Sequence, residues 1–348
     1  MLFLLVNYYQ MTPDIRKKIN HLVAYLETNR GMLVIDADTH ASNTDNLHPS
    51  LREPFESITD YYHGKPVSAE DLIREMEMAS VDMSLIWQNP AATWYGEDED
   101  ENYASLLAAN RYIFDVQTRY PETFIGAGWT DPGVLGIDKA LKMVDTCIQE
   151  FGFLIVKLNP APGRYPIDSE RVCTLVDRVF ELGGVPAFHY GADTPYTPAE
   201  GLLSLAERYP DQPIMAVNMG GGGAGYPEAE QHYRRSREIG LRYPNIRFVM
   251  IARRDTHTES DLITYQMAGE PFSRNLFCAS DAPFGRMTWN FGGYRWMILS
   301  LMDHEHHTDE RVRQTPGLFT EEDMRNYLGA NFAEFLIDGY KKLLKTQQ

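Results

Sequence analysis

Hydrophobic positions along this chain come in two textures. Short uninterrupted runs rich in Val, Ile, Leu and Phe sit between longer stretches where apolar residues recur every three or four positions. The first texture predicts strands buried on both faces, and the second predicts amphipathic helices. Strands are predicted at Leu33–Asp38, Val81–Trp87, Phe124–Trp129, Phe153–Leu158, Val185–Tyr190, Ile214–Met219, Ile246–Ile251 and Leu276–Ser280. Helices are predicted at Ala69–Ala79, Ile137–Glu150, Ser169–Leu182, Pro198–Tyr209 and Tyr233–Tyr243. Stop signals such as Arg119-Tyr120-Pro121 and Arg208-Tyr209-Pro210 close several helical stretches. From the third strand on, successive strands begin roughly 30 residues apart, the length of one strand–helix unit.

Eight such strands predict an α/β protein, a (β/α)8 TIM barrel with its active site at the C-terminal strand ends. An open, doubly wound sheet is the competing arrangement. Residues 1–31 read as an N-terminal helical extension (Ile15, Ile19, Leu22, Val23, Leu26) packed on the body or on a neighbouring subunit, and residues 32–345 as the barrel. Two inserts, 41–68 and 88–104, break the regular spacing and are placed over the barrel mouth as lids or rims. The acidic run Glu97–Glu101 in the second reads as a solvated face.

Composition narrows the partners. The chain of 348 residues can bury a large core, which excludes disorder and small disulfide scaffolds. Its net charge of −17 argues against nucleic acid and anionic membrane, both of which need a basic face. No apolar run approaches the length of a membrane span; Met1–Val6 is too short. Cys147, Cys173 and Cys278 show no paired spacing and read as reduced thiols of a cytoplasmic protein.

Polar residues at strand ends carry the candidate chemistry. The first strand ends Asp36-Ala37-Asp38-Thr39-His40, and period-two alternation points Asp36, Asp38 and His40 to one side. The fifth ends Phe188-His189-Tyr190 and the eighth Ala279-Ser280-Asp281. Asp38, His40, His189 and Asp281 can therefore converge on one divalent metal, and this ligand chemistry suits Zn²⁺ or Mn²⁺. Arg253 and Arg254 follow the seventh strand and offer a bidentate clamp for a substrate carboxylate. Trp87, Trp94, Trp129 and Tyr190 are candidates for stacking on a ring. Lys157 reads as an interior charge pairing with Asp36 or Asp38. The run Gly220–Gly223 reads as an anion-binding nest or a tight turn. His257 is a candidate proton relay, and Asp303-His304-Glu305-His306-His307 reads as a solvated surface run.

Over residues 33–340 the chain resembles the amidohydrolase-related barrels that include aminocarboxymuconate-semialdehyde, dihydroxybenzoate and carboxyvanillate decarboxylases. The resemblance rests on Ile35-Asp36-Ala37-Asp38-Thr39-His40, Arg119–Gly126 with Asp131-Pro132, Gly152–Leu158, Phe188-His189-Tyr190-Gly191, Ser280-Asp281-Ala282-Pro283-Phe284-Gly285 and Tyr327–Leu336. It implies a mononuclear site on Asp38, His40, His189 and Asp281, with Asp281 and His189 catalytic. Two positions depart from the family pattern. Asp38 stands at the first His of H-x-H, and Asn218 stands where the family has the sixth-strand His that handles a metal-bound water. Asn218 offers hydrogen bonds, to substrate among others, but cannot take a proton near neutral pH.

The expected activity is non-oxidative decarboxylation of a small cyclic or aromatic carboxylate. Alternatives are metal-dependent hydrolysis of a lactone, amide or ester, and a catalytically degenerate binding or scaffold barrel. The resemblance and the N-terminal extension together imply a homodimer or higher homo-oligomer.

Overall fold

Among the described residues, nine short strands, all paired in parallel, form the centre of the protein: β1 (Ile35–Ala41), β2 (Met83–Gln88), β3 (Phe124–Gly126), β4 (Gly128–Trp129), β5 (Ile155–Leu158), β6 (Val185–His189), β7 (Ile214–Val217), β8 (Ile246–Met250) and β9 (Leu276–Cys278). The computed structural model describes residues 15–27, 32–57, 64–191, 194–221, 229–251 and 255–346. Pairing runs β1-β2-β3 and β4 through β9 in order. β3 and β4 are one stave broken at Ala127, whose N–H donates to Ile86 C=O at 3.0 Å. The ring closes where His40 N–H donates to Ala282 C=O (2.7 Å) and Asp281 N–H donates to Asp38 C=O (2.9 Å), with a parallel bridge between Thr39 and Ala282. The fold is a (β/α)8 TIM barrel.

All eight predicted strands fall on these staves, because a strand buried on both faces leaves an apolar run in the sequence. The predicted helices also appear; the one expected at Ile137–Glu150 is α-helical over Ile137–Asp145 and ends in a π-turn, Thr146–Glu150.

One long helix was signalled only by its end, the Arg119-Tyr120-Pro121 stop. Glu99–Arg119 begins with Asp98 as N-cap, its carboxylate accepting from the N–H groups of Asp100 and Glu101. The second insert therefore ends at Asp98, and most of the acidic run is that helix's first turn, where negative charge faces the positive end of the helix dipole. The helix escapes a periodicity reading because much of its buried side is polar. Asn110 accepts from Trp129 N–H (3.0 Å) and donates to Trp129 C=O (2.9 Å), while Gln117 accepts from Gly126 N–H (3.1 Å). These amides supply the bonds that the broken stave cannot make within the sheet.

Residues 15–27 are helical, with Ile15, Ile19 and Leu22 buried and the Lys18 ammonium donating to Gln117. Residues 1–14 and 28–31 of the predicted extension lie outside the described residues. No described helix is long and apolar enough to cross a membrane.

The segment Tyr327–Leu336 is a π-turn, Asn326–Ala330, running into the helix Asn331–Thr346, and it packs under the entry to β1. There a Cβ on Gly329 would stand 2.1 Å from the backbone oxygen of Leu33. Gly329→Ala is expected to lower stability by about 1–3 kcal/mol, since backbone cannot move aside as a side chain can. A reduced urea midpoint with unchanged m-value is the readout.

Candidate metal centre

Ring closure brings three of the predicted groups together at the C-terminal end of the barrel. Asp38 and His40 come from β1, and Asp281 from the turn after β9; one ligand atom of each lies within 4.8 Å of the other two. His40 Nε2 is 3.4 Å from Asp281 Oδ1 and 3.8 Å from Asp38 Oδ1. β1 carries a bulge against β2 between Asp36 and Thr39, the kind of irregularity that re-aims side chains beside active sites. Asp281 is a non-glycine residue at φ 57°, a strained conformation held by the closure bond to Asp38 C=O. It is also the open member of the set, with 22% of its side chain accessible, whereas Asp38 is fully buried.

The protonation pattern points to a cation. His40 Nδ1 lies 2.8 Å from the backbone oxygen of Gln88, which can only accept, so Nδ1 carries the proton and Nε2 is left with its lone pair. That nitrogen faces two carboxylates. Asp38 Oδ2 is buried without a hydrogen-bond partner. Without a cation, the arrangement needs a proton between the ring nitrogen and a carboxylate, Asp281 Oδ1 being the nearer. A divalent ion meets the same need with ligands it prefers, so the residues fit one.

Asp38 is anchored independently of any ion. Lys157 Nζ, buried on β5, donates to Asp38 Oδ1 at 3.0 Å, and Trp87 Nε1–H donates to the same oxygen. The Lys157 ammonium lies over the rings of Trp87 (4.6 Å) and Trp129 (5.2 Å), which replace part of its lost hydration. Burial opposes charge on Asp38, but Lys157 and then His40 outweigh it and hold this carboxyl below its usual range. Burial raises Asp281, and the charge of Asp38 adds to the effect.

Asp36 does not join the cluster. Its carboxylate accepts from Ser280 N–H (2.9 Å), Ser280 Oγ–H and Asp38 N–H (3.2 Å), and burial lifts it well above the ordinary range.

The other predicted residues are placed as follows. His189, at the end of β6, is outside the three-residue cluster; its Nε2 lies 3.3 Å from Asn218 Nδ2. Burial, then Lys157, push its imidazole down to about 4, so it is neutral at physiological pH. Asn218 and Met219 both have positive φ (80° and 46°), turning the chain sharply after β7 toward the glycine run, of which Gly222 and Gly223 lie outside the described residues. Trp87 and Tyr190 are fully buried; Trp87 serves Asp38, and the Tyr190 hydroxyl is 3.0 Å from Ser236 Oγ, so neither offers a free ring face. Arg253 and Arg254 lie outside the described residues. His257 pairs through Nε2 with Glu230 and packs on Tyr233, with ring centroids 3.8 Å apart. In the run Asp303–His307, His306 is solvated, but His307 is buried and paired with Glu259 at 2.9 Å, which corrects the reading of the whole run as solvated.

The two inserts meet beside this centre. Trp94 stacks on His48 with centroids 4.3 Å apart, and a cavity of about 310 Å³ lies between Ser42, His48, Gln88, Asn89, Trp94 and Tyr112. Gln88 Nε2 and Ser42 Oγ, on two of the lining residues, are buried without a hydrogen-bond partner.

No family model matches the chain, and no curated protein matches it. Solved structures do. One is 5-carboxyvanillate decarboxylase from Novosphingobium aromaticivorans, complexed with manganese and 4-hydroxy-3-methoxy-5-nitrobenzoic acid; it is 14% identical, with TM-score 0.62 over 88% of this chain and 96% of that one. This chain has the fold of that enzyme. It is likewise similar to 2,6-dihydroxybenzoate decarboxylase from Rhizobium (13% identity, TM-score 0.59, 88% and 99% covered). A third is 4-oxalomesaconate hydratase from Rhodopseudomonas palustris (16% identity, TM-score 0.57, 90% and 98% covered).

Two predictions follow from the electrostatics of the barrel mouth. Lys157→Met leaves Asp38 buried beside Asp281 without its ammonium, and breaking such a pair costs about 3–5 kcal/mol. A lower melting temperature of the metal-free protein is expected.

Asp131, which caps the short helix Pro132–Leu135, was quoted only as part of a motif; burial lifts its carboxyl to about 6. The folded state then binds more protons than the unfolded state between about pH 4 and 6, so this group's contribution falls as pH rises through that window. Asp131→Asn keeps a capping oxygen and removes the charge. It is expected to gain up to roughly 3 kcal/mol over wild type above pH 6 and nothing below pH 4, read from paired melts across that range.

Proposed function

We propose that this chain is a divalent-metal-dependent enzyme of the amidohydrolase-related family, a non-oxidative decarboxylase of a small aromatic or cyclic carboxylate. The observation that carries the reading is the cluster of Asp38, His40 and Asp281, with one ligand atom of each within 4.8 Å of the other two, a lone pair on His40 Nε2 and an oxygen of Asp38 without a hydrogen-bond partner. The manganese-bound decarboxylase with the same fold supports it. Zn²⁺ and Mn²⁺ both suit these ligands.

Asp38, His40 and Asp281 would hold the ion, with His189 as a further ligand if its ring turns from Asn218; when bound, the ion supplies Lewis-acid polarisation of a substrate carboxylate and a neighbouring oxygen. The chain's own residues then divide the remaining work. Lys157 and Trp87 keep Asp38 in place, and Gln88 keeps the His40 lone pair facing inward. Asp281, the member of the set open to the mouth, is placed to hand a proton to the substrate. The bond between the ring carbon and the carboxyl carbon breaks with its electrons left on the ring carbon, that carbon takes the proton from Asp281, and CO₂ leaves. The cavity between the inserts has the volume for a small ring beside Gln88, whose backbone oxygen fixes His40.

Asn218 bears on the proton transfer. Its carboxamide cannot accept a proton, so a scheme that activates water from that position lacks its base, and Asp281 has to move the proton in decarboxylation and in hydrolysis alike. Purified protein loaded with Mn²⁺ or Zn²⁺ is expected to release CO₂ from 2,6-dihydroxybenzoate or 5-carboxyvanillate without hydrolysing lactones. His40→Ala is expected to abolish metal retention, measured by metal analysis after gel filtration. Asp281→Asn is expected to lower kcat by about 10²–10⁴-fold. Lactone hydrolysis without CO₂ release would replace the lyase reading by a hydrolase. A wild-type protein that retains no metal and gains no activity on reconstitution would favour a scaffold.

A further inference from the structure

The helix Met287–Met302 is apolar on two opposite faces, with Asn290 and Arg295 on the flanks between them. Met287, Phe291, Tyr294, Ile298 and Leu301 are buried on its inner face. Its outer face exposes Trp289 (79%), Trp296 (74%) and Leu299 (55%). Apolar side chains on opposite faces mark a helix covered on both sides.

Between the two tryptophans lie Gly292 and Gly293, both exposed. A Cβ built on either meets nothing within 4 Å, so packing within one chain does not call for glycine there, although glycine weakens a helix relative to alanine. The helix contains no Asp or Glu. Its one charged residue, Arg295, is turned to the carbonyls of Ala79 and Ser80 at 2.7 and 2.6 Å.

We propose that this face joins two copies of the chain as an antiparallel, two-fold symmetric helix pair. Trp289 and Trp296 are two helical turns apart, roughly 10 Å along the axis. A two-fold axis passing between Gly292 and Gly293 sets each Trp289 against the partner subunit's Trp296. The glycines then face each other at the crossing and let the backbones approach. Such a patch is complementary to itself, as an isologous interface requires.

The area suffices. The exposed parts of the two tryptophans and Leu299 come to about 400–500 Å² of apolar surface per copy. Doubled by symmetry, that is close to the roughly 1,000 Å² at which specific interfaces begin. Charge selects the face as well. Two copies at −17 repel each other, and a helix without carboxylates is where they can meet.

The test is sedimentation velocity on the full chain from nanomolar to tens of micromolar. The wild type is expected to sediment as a dimer. Trp289→Glu with Trp296→Glu is expected to raise the dissociation constant by about a hundredfold or more while leaving the circular dichroism spectrum at 20–25 °C unchanged. Gly292→Leu, which adds bulk at the crossing and none inside the chain, is expected to weaken the dimer too and covers the case in which the double variant fails to fold. A wild-type monomer at every concentration would overturn the proposal. So would a dimer indifferent to all three substitutions, or one lost only on removal of residues 1–14. A monomer that floats with phosphatidylcholine vesicles would assign the face to lipid instead.

Discussion

Closure of the sheet is the constraint on which the rest depends. The first and last staves are joined by the backbone bonds of His40 and Asp281, and these two residues are also candidate ligands. A carboxylate from near residue 280 can stand beside one from near residue 40 only because the ring shuts there. The buried Asp36 carboxyl, bonded to both Ser280 donors, fixes the same seam from below. Fold stability and site geometry are set by one group of hydrogen bonds, and the strained backbone of Asp281 is held by it.

The electrostatics of the site follow from what closure encloses. Two carboxylates and the Lys157 ammonium leave one net negative charge in a dry enclosure. A divalent cation would invert that sign, and an anionic carboxylate would then be drawn to a single point on a strongly acidic protein. Lys157 cannot serve in its place, because it is committed to Asp38 and shielded by Trp87 and Trp129. The neutral His189 beside it adds donor capacity without charge.

The helix Glu99–Arg119 shows how an interior can be polar by necessity. A stave broken at Ala127 leaves backbone groups that no strand satisfies, and Asn110 and Gln117 meet them from the helix side.

The sequence by itself determined the staves, most of the helices between them and the identity of Asp38, His40 and Asp281 as residues at stave ends, because strands buried on both faces must be written as apolar runs and a period of two assigns their sides. It disclosed the polar-faced helix only by its stop signal, since burial there is bought with hydrogen bonds instead of hydrophobicity. Nor did it separate Asp36 from Asp38, which share a side by alternation but are parted by the bulge in β1 and by Ser280. The withdrawal of Trp87 and Tyr190 from the open mouth, the choice of Asp38 over Asp36 as the partner of Lys157 and the turn of His189 toward Asn218 were decided only by tertiary structure. Each depends on which distant side chain arrives at hydrogen-bonding distance, and local pattern carries no record of that.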